Sequence, residues 1–396
     1  MKSQTKSRSR TQESHYWTYP GGTKVFEVGL YYGFTPDKAV AIEKIDRDVA
    51  KGMTDDPYEL NYIEEKSALL RHYFEKNQPA LPVMISYERV PADKKKDPKH
   101  CEYSLDILGT PRSVADATLL KAAYEIARAH DFENISIEIN TLGDRDSFTR
   151  FVRELGSYFR KYVSELDPEC RQLMKKSPIL IMDCAHEKCQ TLKERMPHPI
   201  NFLSEPSRAH FMEFLEYVEI LGIPYSLNHN LIDLKDIASH TLFKIFGNQP
   251  GKDTQELIAT GSRWSGLAKK LGLKKDIQSV SVSIRLPKPK PEPKLKKIQK
   301  PFFYFIQIGQ EAKLKSLVVL ELLHEAKVLT HHSLTKDKLT AQLASAEVLK
   351  VPYIMIMGQK ESMDNTILIR DMNNRSQDTV NLKNLPDYLR KIVGNG

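Results

Sequence analysis

Four short runs before residue 290 are apolar throughout or alternate apolar with polar positions: Val83 to Val90, Tyr103 to Leu108, Ile135 to Ile139 and Val280 to Leu286. Successive strand side chains point to opposite faces, so runs of this kind predict strands. Between the second and third, Ala115, Leu119, Ala122, Ala123, Ile126 and Ala127 recur at helical spacing, which predicts an amphipathic helix from about Val114 to Ala129. A long helix is expected after Asp144 or Asp146, either of which can cap it, with Phe148, Phe151, Val152, Leu155, Phe159 and Val163 along one side. Another is expected from about Pro206 to Leu221, where Ser204 caps the start, Pro206 suits the first turn and Gly222 ends it.

The pattern breaks at PKPKPEPKLKKIQK, Pro287 to Lys300. Alternating proline removes backbone donors and favours polyproline II, so this stretch reads as a semi-rigid linker. Beyond it, FFYFIQIG predicts a buried strand, Glu311 to Ala326 a helix, and YIMIMG a second buried strand. TILIRDM and DTVNL, joined by NNRSQ, predict a hairpin, and Leu385 to Ile392 a closing helix. The expected organisation is a basic arm at 1–14, an α/β (α+β) core at 15–286 with a helical insertion at about 145–205, the linker at 287–300, and a smaller mixed α/β domain at 301–396.

The chain of 396 residues is 40% hydrophobic and 28% charged, a globular composition large enough for more than one domain. No apolar run approaches the roughly 20 residues a membrane span needs. The N-terminal MKSQTKSRSRTQES lacks the apolar stretch of a secretory signal, so a cytoplasmic location is expected. A net charge of +8 suits a polyanionic partner without identifying one. Cys101, Cys170, Cys184 and Cys189 show no disulfide framework, which fits a reducing compartment. Cys184 and Cys189 with His186 between them have the look of a metal half-site, but no second ligand pair follows, and no metal is expected.

The stretch LGIPYSLNHNLIDLKDIASHTLFKIF, Leu221 to Phe246, resembles the histidine-recognition segment of histidyl-tRNA synthetases, class II aminoacyl-tRNA synthetases. In that family the inner signature is Leu-Val-Arg-Gly-Leu-Asp-Tyr-Tyr. Here Asp233 stands at the Arg position, Leu234 at the Gly position, and Ile237 and Ala238 at the two Tyr positions, with Asp236 retained. The resemblance extends through INTLGDRDSFTRFVRELGSYFRKYVSELDPECRQLMKKSPILIMDC and INFLSEPSRAHFMEFLEYVEILGIPY. TGSRWSGLAKKLG is similar to the family's Gly-Gly-Arg-Tyr-Asp-Gly-Leu, keeping Gly261, Arg263, Gly266 and Leu267 and replacing Tyr-Asp by Trp264-Ser265. The C-terminal run LTAQLASAEVLKVPYIMIMGQKESMDNTILIRDMNNRSQDTVNL resembles the anticodon-binding domain of the His, Gly, Thr and Pro synthetases, with Gln359 in place of the usual Glu.

Adenylate formation by this class is in-line attack of a carboxylate on a phosphate, driven by positioning and by cations, so arginine is the residue type that matters most. In the first class II motif, counting from Tyr32-Gly33-Phe34 arrives at Ala39-Val40 and Glu43 where the family has Thr-Pro and Glu. Arg-Pro-Glu-Gly-Thr aligns with Tyr62 to Lys66, keeping Glu64 and losing the arginine. In the second motif the phosphate-clamping arginine falls on Ser86, with Glu88 and Arg89 kept. In the third, Arg285 matches the arginine but the following helix is replaced by the Pro-Lys linker.

The resemblance therefore implies a synthetase scaffold that keeps Glu64, Glu88, Arg89, Asp236, Arg263 and Arg285 as remnants of the family site, with no catalytic role assigned to any of them. The expected role is non-catalytic: tRNA binding or translation-related regulation, as a homodimer, without cofactor. Ser86, Asp233 and Tyr62 are expected to line a solvated, disused cleft. Lys336 and Lys338, with Tyr304 nearby, are candidate nucleic-acid contacts, although core packing for Tyr304 and solvation for the lysines are the simpler fates. One alternative is a divergent histidine–tRNA ligase using ATP and magnesium. The other is a regulatory subunit of a partner enzyme.

Overall fold

The computed structural model describes residues 16–21, 23–75, 79–89, 99–232, 237–288 and 294–394. The basic arm at 1–14, and Asp233, Leu234 and Asp236, lie outside them. In chain order the first elements are β1 (Tyr16–Pro20), α1 (Lys24–Tyr31), β2 (Thr35–Pro36), α2 (Lys44–Lys51) and α3 (Pro57–Leu70). Next come β3 (Val83–Glu88), β4 (His100–Leu108), α4 (Ser113–Ala129) and β5 (Glu133–Thr141). The insertion holds α5 (Arg145–Lys161), α6 (Pro168–Lys176) and α7 (Glu187–Lys193), and α8 (Glu205–Ile220) follows it and packs into the main core. The core closes with β6 (Ser226–Leu227), β7 (Ala238–Asn248), β8 (Gln255–Trp264), α9 (Leu267–Lys270) and β9 (Ser279–Pro287).

These strands form one eight-stranded sheet, ordered β2-β3-β4-β9-β8-β7-β5-β6 and antiparallel except at its two ends. The alternation in β4 and β9 sets its two faces. Tyr103, Leu105 and Ile107 point with Val280, Val282 and Ile284 into the main core, against α1 and α4. Their neighbours Ser104, Asp106, Ser281 and Ser283 point to the other face. Asp144 caps α5 through the Ser147 N–H at 2.8 Å, and Ser204 caps α8 through the Ser207 N–H, as the sequence suggests.

The C-terminal part carries β10 (Leu295–Gln299), β11 (Phe303–Gln307), α10 (Gln310–Glu325), β12 (Thr330–His332), α11 (Leu339–Leu349), β13 (Tyr353–Met357), α12 (Gln359–Asp364), β14 (Thr366–Asp371), β15 (Gln377–Asn381) and α13 (Leu385–Gly394). Five of the strands form a mixed sheet ordered β12-β11-β13-β14-β15. The fold is thus the α/β class expected.

Two expectations change. The segment read as a linker is a strand over Leu295–Gln299, paired antiparallel with β1. The alternating prolines stop at Pro293, so the donors needed for pairing return just where pairing begins. The C-terminal sheet, expected as a separate domain behind that linker, also packs on the core. Its Phe303, Phe305, Leu317 and Leu320 belong to the same buried cluster as α1 and α4 of the core. Lys121 on α4 reaches Glu321 on α10 at 2.5 Å, the rings of Tyr31 and His324 lie 4.8 Å apart, and Arg112 pairs with Asp337.

Candidate functional site

Ser86, Asp233 and Tyr62 were expected to line a solvated, disused cleft. The face of the sheet opposite α4 instead carries an ionic network under α3. Lys66 is 0% exposed, and its Nζ lies 2.8 Å from Asp106 Oδ1, 3.1 Å from Ser104 Oγ, 3.1 Å from Glu65 Oε1 and 3.3 Å from the Tyr87 hydroxyl. The surrounding groups bond each other. Ser104 Oγ donates to Asp106 Oδ2 at 2.8 Å, the Tyr87 hydroxyl donates to Glu65 Oε1 at 2.7 Å, and Ser281 Oγ donates to Asp106. Trp264 Nε1 donates to Ser281 Oγ at 2.7 Å and seals that side, while the Tyr62 ring lies 5.1 Å from Lys66 Nζ.

Register explains the arrangement. Tyr87 faces Ser104 across β3 and β4, Asp106 faces Ser281 across β4 and β9, and Trp264 lies opposite Ser279, next along β9. Helical spacing on α3 brings Tyr62, Ile63 and Lys66 down onto them.

The network sets two cations, Lys66 and Arg89, against three carboxylates, Asp106, Glu65 and Glu102. Arg89 donates to Glu65 Oε2 at 2.8 Å and to Glu102 Oε2 at 3.0 Å. Burial pushes the Glu65 carboxyl up, but Lys66 and Arg89 outweigh it and hold it at about 2. Burial, with Asp106 and Glu65 alongside, raises the Tyr87 phenol well above its usual range, so it stays a donor. Lys66 and Arg89 are both engaged by carboxylates of the chain itself. A phosphate approaching Lys66 would have to displace the fully buried Asp106, and at Arg89 it would compete with Glu65, 12% exposed, and Glu102, 45% exposed.

The expected remnants divide accordingly. Arg89 joins the network, and its partner is Glu65, the neighbour of the expected Glu64. Glu88 is exposed at the end of β3 and points away from Tyr87 and Arg89. Ser86 is 0% exposed and sits on the far face of β3, where the Cβ of any larger residue at Gly29 of α1 would lie 3.7 Å from its Oγ. The expectation that Ser86 and Tyr62 stand in solvent is therefore corrected: both are buried, and on opposite faces. Arg285 is exposed on β9 opposite Glu102.

Arg263 points to the back of the sheet, where its guanidinium holds Asp116 at the start of α4 and donates to the carbonyls of Thr110 and Arg112. Burial disfavours the Asp116 carboxylate, yet Arg263 and His210 keep it ionised well below the usual range. The rest of the retained TGSRWSGL signature also has structural work. A Cβ at Gly261 would stand 2.1 Å from the Phe243 ring. Gly266 has φ of 80° and donates its N–H to Asp276, and Leu267 is buried. On the first motif, the count that lands on Ala39-Val40 passes over Thr35-Pro36, which forms β2 beside β3.

The nucleic-acid candidates lie together on the C-terminal domain. Lys336 Nζ donates to Ser345 Oγ at 2.8 Å, and Lys338 is exposed at the N-terminus of α11. Tyr304 is buried, the packing fate anticipated for it. Lys336, Ser345, His331 and Val348 line a cavity of about 590 Å³ whose other wall is Gly33, Thr35 and Met84 of the core.

Sequence reasoning missed Lys66, Asp106, Tyr87 and Ser281. The signal was available: Lys66 falls on the apolar stripe of its helix with Tyr62, Ile63 and Leu70, and Asp106 interrupts an otherwise apolar strand end. It also missed that Cys170, from an earlier helix, comes within 3.3 Å of Cys184.

Comparison with known proteins finds matches across both parts of the chain. The anticodon binding domain family matches residues 303–392. The histidine–tRNA ligase of Geobacillus sp. (strain WCH70) is 25% identical over 344 residues, spanning 85% of this chain and 79% of the relative. That of Bacillus subtilis (strain 168) is 26% identical over 299 residues, spanning 74% and 70%. The solved structure of apo histidyl-tRNA synthetase from S. aureus superposes with a TM-score of 0.51 at 19% identity, over 92% of this chain and 93% of that one, a likeness of fold.

Proposed function

We propose that this chain, a histidyl-tRNA synthetase-like protein with a class II-type core and an anticodon-binding domain, binds tRNA without aminoacylating it. The observation that supports the reading is the network of Lys66, Asp106, Glu65 and Arg89, which fills the sheet face under α3 with side chains of the chain itself. Phosphoryl chemistry of this class needs unpaired cations aimed at developing negative charge. Here Lys66 and Arg89 are held by Asp106, Glu65 and Glu102, and Arg263 is turned to the opposite face by Asp116. The anticodon-binding domain and the net charge of +8 support tRNA as the ligand. A homodimer and a cytoplasmic location complete the proposal. Among the described residues no helix is long and apolar enough to cross a membrane.

The test is a pair of measurements on the full chain. Histidine-dependent exchange of pyrophosphate into ATP should stay at background, while a gel-shift with total tRNA at low salt should show a complex. Exchange above background that is lost on heating would establish the ligase alternative. No complex with tRNA at low salt would favour a regulatory subunit acting on a protein partner.

A further inference from the structure

The insertion between β5 and β6 has its own small core, formed by Phe151, Leu155, Phe159, Leu166, Ile181, Leu192 and three cysteines. Cys170 comes from α6, Cys184 from the turn after it, and Cys189 from α7. Although they arrive from separate segments, their sulfurs all lie within 4.8 Å of one another, with Cys170 and Cys184 at 3.3 Å. Three of the chain's four cysteines thus converge on one point. Three thiolates on a tetrahedral zinc, each about 2.3 Å from the metal, stand about 3.8 Å apart. The observed triangle, with one edge of 3.3 Å and none longer than 4.8 Å, brackets that spacing. A disulfide would require a sulfur–sulfur distance of about 2.05 Å, and it would leave the third thiol unused.

We propose that the insertion binds a zinc ion through Cys170, Cys184 and Cys189, with His186, whose imidazole shares a ligand group with Cys170 alone of the three cysteines, turning in as the fourth ligand. His186 follows Cys184 by two residues, and its backbone N–H donates to the Cys184 sulfur. The imidazole, Asp167 and Cys170 bring ligand atoms within 4.8 Å of one another. Asp167 Oδ2 lies 3.5 Å from His186 Nδ1 and Glu169 Oε2 lies 3.5 Å from its Nε2, so zinc bound through Nε2 would displace the exposed Glu169 and keep Asp167 as the carboxylate that orients the ring. The side chain of His186 is 46% exposed, so the site is open on one side to an entering ion, while the thiols face the core.

Charge agrees with the assignment. A zinc ion with three thiolates and a neutral imidazole carries one net negative charge. Lys193 is 5% exposed and places its ammonium 2.7 Å from the Cys184 carbonyl oxygen, as a balancing cation beside the site. Buried thiols also serve as small apolar side chains, but packing alone does not require three sulfurs to meet. A core this small gains from a staple, and soft thiolate ligands select zinc over magnesium or calcium.

The experiment uses the full chain, purified under reducing conditions without chelator. Elemental analysis should give one zinc per chain. Cys189→Ser should lose nearly all of it, and Cys101→Ser, outside the cluster, should keep it. His186→Ala should weaken zinc retention against a competing chelator by about 10-fold or more. Because a cysteine variant can fail by misfolding, the unaltered chain is also loaded with cobalt(II). Thiolate-to-cobalt charge transfer and the intense visible bands of tetrahedral cobalt are expected. Three outcomes would overturn the proposal: an unaltered chain that neither retains zinc nor takes it up on titration, a cobalt spectrum without thiolate bands, or full zinc content in Cys189→Ser. A Cys170–Cys184 disulfide in freshly purified, metal-free protein would do so as well.

Discussion

Replacing Lys66 by Met removes the ammonium from the centre of the buried network while keeping its packing volume. Asp106, 0% exposed, then keeps its hydrogen bonds from Ser104 and Ser281 but loses its counter-charge at 2.8 Å. Breaking one side of a buried pair costs about 3–5 kcal/mol. The two remaining hydroxyl donors place this case at the lower end, about 3 kcal/mol. With a urea m value of about 3 kcal/mol/M the midpoint falls by about 1 M. Trp264, buried at the edge of the network, reports the transition through its fluorescence. The decisive comparison is Lys66→Met with Asp106→Asn in the same chain. Neutralising both partners should recover most of the loss, because the penalty belongs to the orphaned charge and not to the missing pair. A single-variant loss below about 1 kcal/mol, or a double variant no more stable than the single one, would refute the reasoning.

Burial holds His324, His331 and His332, all near the contact between core and C-terminal domain, at about 4, below the usual imidazole value. Depressed histidines stabilise the fold fully above their unfolded value of about 6.5, and the contribution declines as pH falls toward 4. Urea midpoints should therefore drop between pH 7 and pH 5, by the equivalent of about 1–2 kcal/mol per histidine, and His324→Gln should flatten that slope. Ser86→Arg, which restores the family's residue by alignment, should destabilise the chain by about 3 kcal/mol and create no pyrophosphate exchange, because it buries a cation against α1. Lys336→Glu with Lys338→Glu should weaken tRNA binding and make it less steep in salt, by about 0.7–0.9 in the log–log slope for each phosphate no longer neutralised. Filter binding on the full chain measures this better than a chain cut at Leu286, which would expose Phe303-side packing surface on α1 and α4.

Periodicity alone exposed the elements that bury one face. β4, β9, α4 and α8 sit within a few residues of their expected bounds, because a half-buried strand or helix must repeat its apolar positions. The β1–β10 pairing was hidden by the proline run beside Leu295, whose composition dominates the segment. Alignment to the family identified which residues were missing but not which way the survivors point. Ser86 and Tyr87 are adjacent in sequence and face opposite sides of the sheet, and Arg263 and Trp264 do the same. The period of two in a strand makes a one-residue ambiguity into a reversal of sides. Cys170 belonged to no local pattern, since only the turn between α6 and α7 brings it back to Cys184 and Cys189.

The pairing of β1 with β10 has a consequence for synthesis. Tyr16 lies opposite Gln299, so the first strand's partner is made about 280 residues after it. At translation rates of about 5–20 residues per second the N-terminal strand waits on the order of 15–60 s beside the ribosome with its edge unmatched. Through that interval Tyr16 to Pro20 is open to chaperones and to stray strands of other nascent chains. The pairing can form only after Gln299 has left the ribosome, and a ribosome stalled before Leu295 would leave Tyr16 to Pro20 without its partner strand.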